Sequence, residues 1–584
     1  MAAPTVVEPS LATELSIVGL FFRQVERRGE RPFLVHYEDG RWQTLTWTQC
    51  REQVLRVASR LVDAGVAAGD AVVLMAPNSV EWVVADLAIQ SVGGVTAPIY
   101  PTSGRSAAAA VLQNCEAGLA FVDTEERATR LGAPRTVLLD REFQEWASEP
   151  AGEAALAEVA RRLHDLAPDQ LATIVYTSGT TGEPKGVELA HRTLAEILQS
   201  CLSAFHMGPA DRALSLLPMS HVLERVNGLY ILIATGASAW LTRGPAHLLD
   251  DIAVCQPTVM VCVPRVYEKV YQGVLAEVRH RPALQRRLFW WALGQGKRHA
   301  VGEPAPGFVL ADRLVLRSLR RRLTGGHLRY FVSGGAPLLQ DVEAFFWAIG
   351  VKILQGWGLT ETSAGATGNR EEAHRYETVG QALPGVELRV AEDGEILVKS
   401  PGNLIGYHRE GAATAAVLTE EGWFRSGDIG TIDADGYLRI TDRKKDLMKT
   451  AGGKFVAPQM LEARLLQDAA VSFAIVIGDL RPYVTALIVP AWDVVRKELH
   501  LRGEPNQLLD EVALRAHLQA AVDRANEGLG NWETIKRFTI MAEDFSESNG
   551  ELTPTLKVRR QAVLEHRAEA VETMYATPRE RRER

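Results

Sequence analysis

"YTSGTTGEPKG", residues Tyr176 to Gly186, follows the apolar run "LATIV" and leads into "VELAHRTL". Eight of its eleven residues are Gly, Ser, Thr or Pro, and its single lysine is Lys185. A turn of this composition directly after a buried strand gathers backbone N–H groups, hydroxyls and one ammonium, a combination that suits a polyphosphate. It is not a Walker A loop, because Gly186 follows Lys185 where that motif needs Ser or Thr.

Outward from this loop the chain alternates strand and helix. Val54, Ala58, Leu61 and Val62 mark one face of a helix, and "GD" turns the chain into the strand "AVVLM". Asn78 or Ser79 is placed to cap the helix "VEWVVADLAIQ", after which Gly93 and Gly94 lead into "VTAPI". Leu156, Val159, Ala160 and Leu163 mark a further amphipathic helix just before the quoted loop. This βαβ rhythm implies parallel sheets covered by helices. After about residue 380 the pattern changes: "ELRVAEDGEILVKS" and "IGTIDADGYLRITD" read as hairpins with DG turns. The main domain boundary is expected between Thr441 and Asp442, dividing the chain into 1–441 and 442–584.

With 584 residues, two or more domains are expected, and 46% apolar with 23% charged residues is ordinary globular composition. A net charge of -8 argues against nucleic-acid binding by the chain as a whole. The five cysteines are scattered and form no CxxC pair, so reduced thiols in a cytoplasmic protein are expected, without structural zinc. The start of the chain lacks the basic region of a signal peptide. The uncharged stretch Val226–Thr242 is too short and too polar for a membrane span and reads as buried helix, turn and strand.

Further stretches occur in order along the chain: "LLPMSHVLER" (216–225), "SGGAPL" (333–338), "QGWGLTET" (355–362), "GWFRSGD" (422–428), "YLRITDRKKD" (437–446) and "LTPTLKVRR" (552–560). Together with the quoted loop they resemble the signatures of the adenylate-forming enzymes, the superfamily of acyl-CoA synthetases, peptide-synthetase adenylation domains and firefly-type luciferases. The resemblance spans nearly the whole chain. It implies an α/β fold: a large N-terminal domain of two helix-covered mixed sheets with a small β-barrel-like subdomain, and a small mobile α+β C-terminal domain. It also implies a reaction, in which a carboxylate attacks the α-phosphate of ATP with Mg²⁺ and a thiol then displaces AMP.

On that resemblance Thr177, Ser178, Gly179, Thr180, Thr181 and Lys185 hold the β- and γ-phosphates, Glu361 carries Mg²⁺, and Thr360 contacts the α-phosphate. Gly334, Gly335 and Ala336 wall the adenine pocket, with Gln355 and Gly356 beside it. Trp357 stands where the family usually has Tyr, keeping the stacking face without the hydroxyl. Asp428 takes the ribose hydroxyls, a bidentate task for a carboxylate, with Arg443 assisting. Lys557 bridges the attacking carboxylate and the α-phosphate, and Lys445 is the hinge about which the C-terminal domain turns. Gly452 and Gly453 allow close approach of the CoA pantetheine, although Phe455 departs from the family's usual Asn.

His221 resembles a gate between carboxylate and thiol, and Val222 cannot pair an amino-acid ammonium as an Asp would. The segments "HVLERVNGLY" and "PTVMVCVPRVYEKV" are similar to the long-chain and bubblegum-type fatty acid–CoA ligases, which makes Val222, Gly228 and Tyr230 candidates for an acyl tunnel. The expected partners are a medium- or long-chain fatty acid, ATP and CoA. An acyl-AMP ligase loading a carrier protein, a silent homologue and a luciferase-like oxygenase share the same resemblance. Residues 278–330 hold twelve Lys or Arg against two acids, with Phe289, Trp290 and Trp291 among them, and point to peripheral contact with the inner membrane surface.

Overall fold

The strands around the quoted loop belong to a seven-stranded sheet. Its order is Gly406–Tyr407, Pro184–Ala190, Leu171–Ser178, Val95–Pro98, Ala71–Met75, Leu119–Val122 and Arg135–Leu138. The computed structural model describes residues 15–178, 184–546, 549–552 and 558–576. Leu171–Ser178 pairs in parallel with Val95–Pro98 on one side and antiparallel with Pro184–Ala190 on the other, so the loop joins two strands of a hairpin. Runs such as Val72 to Met75, fully buried, are the signature of strands covered on both faces.

A nine-stranded sheet forms the other half of the same lobe. Its order is Gln381–Ala382, Thr367–Gly368, Lys352–Trp357, Tyr330–Ser333, Val259–Cys262, Arg212–Ser215, Ser238–Leu241, Pro32–Glu38 and Arg41–Thr46. Its centre is parallel and both ends carry antiparallel strands, so the sheet is mixed. The expected DG hairpins join Glu387–Val390 to Glu395–Lys399, and Phe424–Ile432 to Leu438–Arg443, within a four-stranded sheet. Gly394 and Gly436 have φ of 84° and 83°, the left-handed conformation that these turns require.

Contacts divide the chain into two units, one of residues 1–389, 397–426 and 432–438, the other of 390–396, 427–431 and 439–584. The second unit is built on Val471–Ile477, Val484–Pro490 and Ile535–Ile540. Its middle strand is buried at every position, because helices lie on both faces. Leu461, Leu514 and Leu518 pack on one side, and Val563, Val571 and Met574 on the other.

Helix Val80–Ser91, capped by Ser79 through the Trp82 amide, is buried along nearly its whole length and carries Asp86 into the first unit's interior. Asp86 accepts from Thr96 at 2.8 Å, Gln90 at 3.0 Å, Tyr230 at 2.7 Å and the Arg225 guanidinium. Arg225 also donates to Thr173 at 2.7 Å. Thr96 and Thr173 stand on neighbouring strands of the seven-stranded sheet, whereas Arg225 and Tyr230 lie on Leu223–Tyr230, which follows a strand of the nine-stranded sheet. Leu223–Tyr230 is a π-helix, a wider winding that re-aims side chains and recurs at functional sites. The expected buried helix, turn and strand over Val226–Thr242 are present, with this π-helical segment as the added feature.

Candidate active site

Thr177 and Lys185 face each other across the hairpin, and Ser178 opposes Pro184. Gly179, Thr180 and Thr181 lie outside the described residues. Gly186 carries no side chain for a packing reason: a Cβ there would stand 2.7 Å from Ile174 Cγ2 and 3.0 Å from the Tyr176 ring. Tyr176 in turn donates to Asn114 at 2.7 Å, which holds the strand just before the loop.

On the outer side of the hairpin, Gly406–Tyr407 pairs with Val187 and Glu188. This pairing sets Tyr407 beside two of the expected site residues. Its hydroxyl donates to Glu361 Oε1 at 2.8 Å, and Lys185 Nζ lies 5.2 Å from the centre of its ring. Lys185 also stands 3.8 Å from Glu410. One tyrosine therefore connects the lysine of the loop with the carboxylate of "LTET". No local signal marks it in the sequence, because its role depends on a two-residue strand pairing across more than two hundred positions.

Glu361 sits in the short 3-10 turn Thr360–Thr362, and its backbone carbonyl accepts from the Leu404 amide at 2.8 Å. Among the described residues no group of three or more His, Cys, Asp or Glu could hold a metal by itself. A single carboxylate fits Mg²⁺ all the same, since that ion keeps waters and phosphate oxygens as its other ligands.

Tight backbone approaches shape the neighbouring loops. Gly335 has φ of 83°, and a Cβ on Gly358 would stand 2.6 Å from the Gly365 amide nitrogen. A Cβ on Gly334 would meet the Gly356 carbonyl at 3.6 Å, which places the "SGGA" and "QGWG" segments side by side. Gln355 donates to the buried Glu343 at 2.9 Å, and His374 meets the other oxygen of Glu343 at 2.9 Å. Ala336 is exposed and Trp357 half-buried.

Asn78, a possible cap in the sequence, is a tether instead. It donates to the Leu217 carbonyl at 2.7 Å and to Ser215 at 3.2 Å, and accepts from the Met219 amide at 2.7 Å. It thereby holds the "LLPMSH" turn that presents His221. The Leu223 amide donates to His221 Nδ1 at 3.1 Å, which leaves the proton of the neutral ring on Nε2. Of the three tunnel candidates, Gly228 lines an apolar cavity of about 30 Å³. Val222 is buried but is not part of that lining, and the Tyr230 hydroxyl is engaged with Asp86 and Gln90.

The second unit is a separate matter. Asp428 is buried on its strand and accepts from Arg443 Nε at 2.9 Å. Lys444 reaches Asp393 and Glu395 at 2.6 and 2.9 Å, beside the hinge candidate Lys445. Gly452 and Gly453 form the tip between Met448–Lys449 and Phe455–Val456, with Gly453 at φ 75° and Phe455 exposed. Lys557 lies outside the described residues.

Residues 21–408 match the family described as AMP-binding enzyme, and residues 445–579 match the AMP-binding enzyme C-terminal domain. The long-chain-fatty-acid–CoA ligase FadD15 of Mycobacterium tuberculosis is 37% identical over 94% of this chain and 96% of its own. The peroxisomal long chain acyl-CoA synthetase 6 of Arabidopsis thaliana is 29% identical over 92% of this chain and 82% of its own. Among solved structures, the adenylation domain of a carboxylate reductase from Mycobacterium chelonae shares the fold with a TM-score of 0.77 at 22% identity, covering 98% of this chain and 94% of that one. O-succinylbenzoate coenzyme A synthetase from Bacillus subtilis, in complex with AMP, does so with a TM-score of 0.69 at 21% identity, covering 93% and 97%.

One group in this region has a strongly displaced proton affinity. Burial pushes the Glu224 carboxyl from 4.5 up to about 8, against the smaller pull of the Ser215 hydroxyl and the Leu217 amide. An unfolded chain releases this proton from about pH 4.5 and the folded chain only near 8, so between them the folded state binds more protons. Stability therefore falls as pH rises through that window, by an upper bound of about 5 kcal/mol at about 1.4 kcal/mol for each pH unit. In Glu224→Gln this part of the decline is expected to vanish in denaturant titrations at pH 5, 6, 7 and 8; an unchanged slope would mean the carboxyl is ionised when folded.

Proposed function

Because the chain belongs to the AMP-binding enzyme family, we propose that it is a fatty acid–CoA ligase that makes acyl-adenylate from a medium- or long-chain acid and ATP, then acyl-CoA. The observation that carries this reading furthest is the Lys185–Tyr407–Glu361 constellation on the edge of the seven-stranded sheet. It sets an ammonium and a carboxylate on either side of one phenol, next to the Gly/Thr loop: a cation for phosphate oxygens and an anion for the metal that phosphate brings. The named products of the curated relatives supply the acid and the thiol.

In this reading Thr177, Ser178, Gly179, Thr180, Thr181 and Lys185 neutralise the β- and γ-phosphates and orient pyrophosphate to leave. Mg²⁺, when bound at Glu361, polarises the phosphates. Thr360 and Lys557 offset the charge that gathers on the α-phosphate as the carboxylate attacks, a preorganised effect strongest in a dry site. Trp357 stacks on adenine between Gly334–Ala336 and the Gln355–Gly356 backbone, and Asp428 holds the ribose with Arg443. The hinge at Lys445, between domains 1–441 and 442–584, exchanges Lys557 for the Gly452–Gly453 tip that admits the CoA thiol. His221, held by its Nδ1 bond with the proton on Nε2, faces the carboxylate.

A second surface feature accompanies the site. Helix Ala283–Ala300 exposes Leu284, Leu288 and Trp291 at helical spacing, and the following turns expose Val309, Leu310 and Leu314. Trp291 packs on the backbone of Gly307, so the two sets adjoin. Arg286, Arg287, Arg313 and Arg317 flank them in sequence, and among the described residues no helix is long and apolar enough to cross a membrane. This patch suits the anionic face of a bilayer, where the fatty acid resides.

Two experiments follow. Lys557→Ala is expected to lower adenylation by ~10²–10³-fold, the scale of one lost transition-state donor, while acyl transfer from supplied acyl-adenylate changes little. Lys445→Pro is expected to do the reverse; equal losses in both halves would remove both assignments. In sedimentation at low salt the chain is expected to follow anionic vesicles but not phosphatidylcholine vesicles, and Trp291→Glu with Leu310→Glu is expected to abolish the difference. Equal recovery with both lipids would exclude the surface.

A further inference from the structure

The apolar cavity lined by Gly228 has on its wall a carboxyl with one oxygen that lacks a hydrogen-bond partner. Glu224 is 2% exposed and lies on the cavity wall with Phe205, Met207, Met260 and Val332. Its Oε1 accepts from Ser215 at 2.6 Å, and its Oε2 has no hydrogen-bond partner. Asn227, a half-buried amide on the wall, is committed: it donates to the Ala364 carbonyl at 3.0 Å and accepts from Cys201. Gly228 explains how the carboxyl comes to lie there. A Cβ on Gly228 would stand 2.6 Å from Glu224 Oε1, so the absent side chain makes the room that the carboxyl fills.

An unmet polar oxygen in an apolar chamber is costly, and buried polar atoms of native structures are rarely left without a partner. The cavity of about 30 Å³ has room for one water-sized oxygen. Glu224 follows His221 by three residues, at the start of the π-helical segment. Burial favours the protonated carboxyl, and with Oε1 taken by Ser215 its proton falls to Oε2.

We propose that Glu224 is a specificity residue that hydrogen-bonds an oxygen carried part-way along the acyl chain, so that oxygenated fatty acids, hydroxylated or oxo, are the preferred substrates. The inference rests on the ligase reading above and adds the class of acid. Plain alkyl chains leave Oε2 unmet. A site built around a hydrogen bond discriminates against the analogue that lacks the partner far more sharply than a greasy wall separates chain lengths. Met207 and Met260, unbranched and adaptable, let the chamber widen around the tail.

The test compares hexadecanoic acid with hydroxyhexadecanoic acids whose hydroxyl is moved along the chain, with ATP and CoA, scoring acyl-CoA by mass. At least one positional isomer is expected to exceed hexadecanoic acid by ~10-fold in kcat/KM in the unmodified chain and in Glu224→Gln, whose amide still offers a donor. In Glu224→Leu hexadecanoic acid is expected to overtake it. Infrared difference spectra supply a readout that does not depend on the Leu variant folding: the protonated-carboxyl stretch absent from Glu224→Gln is expected to shift with the favoured hydroxy acid and not with hexadecanoic acid. Acyl-CoA formed without preference for any isomer, a preference unaltered in Glu224→Leu, or an unmoved carboxyl band would overturn the proposal while leaving the ligase reading intact. No acyl-CoA from any acid would overturn the ligase reading itself, and this one with it.

Discussion

The buried pair Asp86–Arg225 is the constraint on which the rest of the first unit depends. Both side chains lie beyond the reach of water, where a lone charge costs several kcal/mol, so neither is tolerable without the other. Asp86 meets this demand with five donors, and Arg225 with Asp86, Thr173 and the faces of Trp82 and Tyr230. Because Asp86 rides a helix of the seven-stranded sheet and Arg225 a segment of the nine-stranded one, satisfying the charges fixes the two sheets against each other. Hydrophobic contact alone is non-directional and would leave the register between the sheets less determined.

That fixed register has consequences on both sides of Leu223–Tyr230. The same π-helical segment that delivers Arg225 and Tyr230 to the charge cluster carries Glu224 and Gly228 to the apolar chamber on its other side. Asn78, at the start of the Asp86 helix, holds the turn that presents His221. The strand before the proposed phosphate loop is anchored in the same sheet: Thr173, in contact with Arg225, lies on the strand that runs on to Thr177. The elements proposed to bind the acid and the phosphates are thus placed by one network of directional bonds.

The sequence made much of the fold legible, for local reasons. Ser79 sits directly before a largely apolar helix, and the DG pairs near Gly394 and Gly436 need a left-handed residue. The strand–helix alternation needs parallel sheets. Other features were beyond local reading. The π-helix has no signature that separates it from an α-helix of the same composition. Tyr407 matters only because a strand of two residues pairs outside the lysine strand. Glu224 had one faint signal, an acid inside "LPMSHVLERV", but its isolation depends on Gly228 and on walls from three distant strands. Trp357 and Asp428 were legible only through family resemblance, since an aromatic or an acid in a loop has many ordinary uses.

The measurement that bears most directly on the account is product analysis with MgATP, a long-chain fatty acid and CoA. The account predicts acyl-CoA, AMP and pyrophosphate in equal amounts, with acyl-adenylate building up only when CoA is withheld. Acyl-adenylate that accumulates regardless of CoA, or cleavage of ATP to ADP, would contradict it.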